Sequence, residues 1–94
     1  MKYELALVLS AKLDDEERAA LAEKVKAMIT TAGAEITNVD EWGKKQLAYE
    51  IQKMKEAYYY FIQFDGEATV PAELEAKLRI EENVLRYLCV KQDA

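Results

Sequence analysis

Residues 2–10 alternate, with Tyr3, Leu5, Leu7 and Leu9 on one side and Glu4, Ala6, Val8 and Ser10 on the other. A period of two with one side uniformly large predicts a strand whose large side is buried. The period then changes. Asp14 offers an N-cap with Glu17 three residues on, a capping box, and the acids at 14–17 fill a first turn where the helix dipole favours negative charge. Leu21, Val25, Met28 and Ile29 follow at helical spacing, and Gly33 stands where a left-handed C-cap wants glycine, so a helix is predicted over 14–32. Strict alternation fails between Ile36 and Val39, which predicts a bulge. It resumes at Leu47, Tyr49 and Ile51, with Gly43 marking a bend or bulge in one long strand over 35–52, or a tight turn. After the polar stretch 52–56, a strand is predicted over 57–66. Pro71 then suits the first turn of a helix over 70–81 with Leu74 and Leu78 buried, and β-branched and aromatic content predicts a last strand over 84–91.

The order is β-α-β-β-α-β. Each β-α-β half takes a right-handed crossover, and two interleaved halves make an α+β, ferredoxin-like domain: a four-stranded antiparallel sheet with two helices on one face. Ninety-four residues suffice for one such domain, 1–94, and not for two. Leu5, Leu7, Leu21, Val25, Ile29, Ile62, Phe64, Leu74 and Leu78 are the expected core.

If both helices cover one face, the other faces water or a partner. Gln63 marks that open side in the third strand, which places Tyr59 and Phe61 beside it and sends Tyr58, Tyr60, Ile62 and Phe64 inward. Arg86 marks it in the fourth, with Leu88 and Val90 outside and Leu85, Tyr87 and Cys89 inside. Glu4, Ala6 and Val8 complete it. Tyr59, Phe61, Leu88, Val90 and Val8 make more apolar surface than a solvated sheet face carries, and such patches mark interfaces.

Composition narrows the chemistry. There is no histidine, which removes Ser-His-Asp and Cys-His machinery and the commonest zinc ligand; three glycines, at 33, 43 and 66, build no phosphate-cradling loop. The expectation is no enzyme, no catalytic residue, no metal site, no cofactor and no small-molecule substrate. The longest uncharged apolar stretch, 57–62, is far too short for a membrane span, and no signal-like segment opens the chain. The single cysteine, Cys89, fits a reducing cytoplasm and reads as a small buried hydrophobe. A net charge of −5 argues against gripping nucleic acid by bulk electrostatics, yet Lys44, Lys45, Lys53 and Lys55 gather around the middle hairpin, away from most of the acids.

Two resemblances bear on function. Residues 57–64 match the aromatic and aliphatic places of the RNA-recognition-motif octamer at Tyr59, Phe61, Ile62 and Phe64, but lack its basic residue and glycine; the first strand offers Ala6 and Val8 where a second aromatic is needed. A free-standing domain stacking single-stranded bases on Tyr59 and Phe61 is therefore the alternative reading. The stretch Gly43-Lys44-Lys45-Gln46-Leu47-Ala48-Tyr49-Glu50-Ile51 resembles the signature of the bacterial small-subunit ribosomal protein six family. The likeness extends to Tyr3-Glu4, Ala57-Tyr58-Tyr59 and Asn83-Val84-Leu85-Arg86-Tyr87, then Cys89-Val90-Lys91. Gln52 departs from the basic or small residue usual there, and Ala57 from the frequent glycine. The resemblance implies a structural ribosomal protein, cytoplasmic and in the ribosome, with no membrane role. It would bind the central domain of the small-subunit ribosomal RNA together with small-subunit ribosomal protein eighteen during assembly. On that reading Lys44, Lys45, Lys53 and Lys55 meet RNA or the partner, and Glu4, Val8, Tyr59, Phe61, Arg86, Leu88 and Val90 form the partner interface.

Overall fold

The computed structural model describes the backbone of residues 1–51 and 54–92 and the side chains of 1–47 and 55–92. Its elements run β1 (Lys2–Ser10), α1 (Asp15–Thr31), β2 (Glu35–Ile51), β3 (Met54–Asp65), α2 (Val70–Leu78) and β4 (Val84–Gln92). The strands form one antiparallel sheet in the order β2-β3-β1-β4. β1 is central because its odd-numbered side, Tyr3, Leu5, Leu7 and Leu9, is apolar throughout and all four are buried.

The ends of α1 follow from local chemistry. The Asp14 carboxylate accepts from the Glu17 amide at 2.7 Å and the Asp14 amide donates to the Glu17 carboxylate, closing the capping box. At the other end Ala34 N–H donates to the Ile29 carbonyl and Gly33 N–H to that of Thr30, a Schellman motif that requires the positive φ of 92° at Gly33. Ala22, Val25 and Ile29 bury one stripe of α1; Val70, Leu74 and Leu78 bury one of α2. Both stripes join Tyr3, Leu5, Leu7, Leu9, Tyr60, Ile62 and Phe64 in a single core, so both helices lie on the same face. The Tyr3 and Phe64 rings stack within it at 5.5 Å.

Four expectations need correction. Leu21 is only partly buried, and the fully inward position on that turn is Ala22. α2 ends at Leu78, not residue 81, because the next places on its 70-74-78 stripe fall to Glu81 and Glu82, and the chain breaks into turns closed by Glu81 and Val84 amides. β3 begins at Met54, so part of the polar 52–56 stretch is strand; residue 52, where the long strand was expected to end, lies outside the described residues. Finally, Val84 rather than Leu85 is buried at the start of β4. The β1–β4 register shifts between Val8 and Leu9, so Val8 faces Arg86 and Leu9 faces Val84. The expected bulge after Ile36 is present, and Gly43 lies at a second one, between Glu41 and Gly43, within one continuous strand.

Candidate functional site

The open face is laid out by register. Along β1, Glu4 lies between Gln63 and Val90, Ala6 between Phe61 and Leu88, and Val8 between Tyr59 and Arg86. β2 adds Asn38 beside Gln63 and Asp40 beside Phe61. All seven residues expected on this face for a partner therefore stand within three adjacent cross-strand rows around Ala6. Leu88 is 62% exposed and Val90 48%, whereas Glu4, Val8, Tyr59 and Phe61 are half-buried. That is less exposure than the sequence suggested. One cause is a hydrogen bond from Gln63 Nε2 to Glu4 Oε2 at 3.2 Å; another is Trp42.

Trp42 is the residue that sequence reasoning missed. It occupies the bulge where Gly43 takes a φ of 75°, and its ring meets that of Phe61 with centroids 4.6 Å apart and planes inclined by 53°. A bulge re-aims side chains, and a glycine at positive φ is what lets the strand make one here. Trp42 still leaves 56% of its surface exposed. The signal was present as a tryptophan next to a mid-strand glycine.

On the inner side of β3, Tyr60 is buried, while Tyr58 is half-buried. Tyr87 and Cys89 of β4 are likewise only half-buried. Burial pushes the Cys89 thiol up to about 11, with the nearby Glu75 charge adding to it, the reverse of what a nucleophilic cysteine needs.

The hairpin lysines divide. Lys44 and Lys45, Lys55 are exposed; Lys53 lies outside the described residues. Lys44 pairs with Tyr58 and Lys45 with Ala57, so these neighbours point to opposite faces of the sheet. Lys44 and Lys55 line one open groove of about 210 Å³ together with Ala11 and Glu56. No carboxylate is ion-paired to Lys44, Lys45 or Lys55 among the described residues. Among those residues, too, no group of three or more His, Cys, Asp or Glu side chains is placed to hold a metal ion, and no helix is long and apolar enough to cross a membrane.

Comparison with known proteins agrees with the architecture. Residues 2–91 match the family model described as ribosomal protein S6. Small ribosomal subunit protein bS6 of Caldanaerobacter subterraneus subsp. tengcongensis is 50% identical over 91 residues, covering 97% of this chain and 96% of the relative. The protein of the same name from Alkaliphilus metalliredigens is 46% identical over 90 residues, covering 96% and 95%. The crystal structure of 30S ribosomal protein S6 from Thermotoga maritima superposes with a TM-score of 0.93 at 29% identity, over 97% of this chain and 86% of that one. With the β-α-β-β-α-β order, the antiparallel sheet and the signature at 43–51 all in place, the chain belongs to the ribosomal protein S6 family of the small subunit.

Proposed function

We propose that this protein is a structural, non-enzymatic constituent of the small ribosomal subunit in the cytoplasm, and that it binds the central domain of the small-subunit ribosomal RNA together with small-subunit ribosomal protein eighteen during assembly. The observation that carries the reading is the open sheet face, where Trp42, Phe61, Tyr59, Val8, Leu88 and Val90 form an aromatic and aliphatic surface with Glu4, Asp40 and Arg86 around it. Aromatics with an apolar centre and a polar rim are the composition of a protein interface. A chain of net charge −5 meets RNA most readily beside a basic partner that neutralises most of the phosphates, leaving this chain the few contacts its hairpin lysines make.

The alternative, a free-standing domain stacking single-stranded bases, gains one feature from the exposed indole of Trp42. Against it, Trp42 and Phe61 lie tilted onto each other instead of offering two separate flat platforms, and β1 supplies Ala6 and Val8 at the remaining place. RNA affinity measured at several salt concentrations separates the two. The assembly reading expects weak binding by the isolated protein and tight binding once protein eighteen is added. Micromolar or tighter binding alone, unchanged by the partner, would favour base stacking.

A further inference from the structure

Tyr58 collects two cations. Arg18, one turn into α1, lays its guanidinium carbon 4.2 Å from the centroid of the Tyr58 ring. Lys44, the register partner of Tyr58 on β2, brings its ammonium to 5.6 Å from the same ring. Both distances are within the reach of a cation–π attraction. Arg18 is further fixed by Nε donating to the Tyr60 hydroxyl at 3.1 Å and by Nη1 pairing with Asp15 at 3.0 Å. Asp15 is highly exposed and so offsets the Arg18 charge only weakly. A tyrosine ring attracts each cation without neutralising it, so both keep charge to offer an anion. The groove lined by Lys44 and Lys55 adjoins this stack through Lys44, and Glu56 sets one carboxylate in its wall against two lysines.

We propose that Arg18 and Lys44 bind a single phosphodiester of an RNA backbone beside this groove, with Tyr58 as the platform that holds both in place. The arginine supplies a planar fork and the lysine a point charge, a pairing suited to the several oxygens of one phosphate. The site lies on the helix side of the sheet, because strand alternation sends Tyr58 and Tyr60 one way and Tyr59 and Phe61 the other. RNA and a protein partner then occupy opposite faces and do not compete. This rests on the RNA-binding reading above and adds to it Arg18, which lies 26 positions before Lys44 in the chain.

The test is binding of the full chain with small-subunit ribosomal protein eighteen to a central-domain ribosomal RNA fragment, as salt is raised from about 50 to 200 mM, a range over which phosphate contacts dominate the response. If the two side chains hold one phosphate jointly, Arg18→Gln and Lys44→Gln each lower the salt slope by about one unit, and the double variant lowers it no further. Arg18→Lys keeps the charge and restores the slope, which separates the role from a loss of folding. Tyr58→Leu keeps the slope while affinity falls severalfold. A double variant that lowers the slope by about two units would overturn the shared site. So would a slope unmoved by Arg18→Gln while Lys44→Gln lowers it, although the hairpin-lysine reading would survive. A wild-type pair that does not bind the RNA at all would instead defeat the underlying function.

Discussion

Trp42 and Phe61 meet across the β2–β3 pair with ring centroids 4.6 Å apart, one ring supplied by a bulge and the other by regular strand alternation. Phe61 is thereby half-covered from the open side of the sheet without belonging to the core beneath it.

Replacing Phe61 with alanine is therefore expected to act on association more than on folding. A hot-spot loss of roughly 2 kcal/mol or more in affinity for protein eighteen is the expected outcome, with a much smaller change in the urea midpoint. Trp42, the one tryptophan, reports on its own surroundings: its emission should shift to the red in Phe61→Ala as the ring loses its neighbour. A drop in folding stability of the same size, with association intact, would place Phe61 in the core.

Gly43 is expected to be intolerant for a conformational reason and not a steric one. A Cβ added there meets nothing within 4 Å, but φ is 75°. Gly43→Ala should destabilise by about 1–2 kcal/mol through the left-handed backbone, and Gly43→Asn by less, since asparagine tolerates that region better. Equal losses for alanine and asparagine in a chemical-denaturation series would count against this account.

These two positions also mark where the sequence was legible and where it was not. Alternation in β1 and the caps of α1 depend on neighbours in the chain, so Tyr3 to Leu9, Asp14, Glu17 and Gly33 could be read directly. Inward and outward phases in β3 followed from Gln63 alone and hold for Tyr59 to Phe64. Trp42 could not be assigned a face, because a bulge shifts the phase and its exact place depends on pairing with β3. Leu85 failed for the same reason at the β1–β4 shift. Arg18 looked like an ordinary surface residue of α1, since nothing local announces that Tyr58 and Tyr60 will sit under it.

Leu7 lies at the middle of the central strand, 1% exposed, between Tyr60 and Tyr87 in register. Leu7→Ala removes buried methyl groups from the core and leaves a cavity. The expected destabilisation is about 2–5 kcal/mol, a large share of the total stability of a domain this size. Equilibrium unfolding in urea measures it, and a loss below about 1 kcal/mol would mean that the surrounding side chains collapse into the gap.

The last expectation concerns Cys89, which packs against the core on the inner side of β4. Burial, helped by Glu75, raises its thiol from the ordinary value of 9.0 to about 11. The reactive species is the thiolate, so the native chain should react with an aromatic disulfide reagent near pH 8 roughly a hundredfold more slowly than the unfolded chain, on ionisation alone. The same shift makes stability depend on pH, and the sign follows from proton counting. Below pH 9 both states hold the proton and Cys89 has no effect. Between about 9 and 11 the unfolded chain releases it while the folded chain retains it, so the unfolded state gains and folding weakens as pH rises. Because the residue is only half-buried, the effect is smaller than the full shift implies. Lysines and tyrosines titrate in the same range, so the measurement is a difference: unfolding free energies of the native chain and of Cys89→Ala, compared from pH 8 to 11. The gap between them should move against the native chain across that window. A constant gap, with native labelling as fast as in the unfolded chain, would show that the thiol is open to solvent and ionises normally.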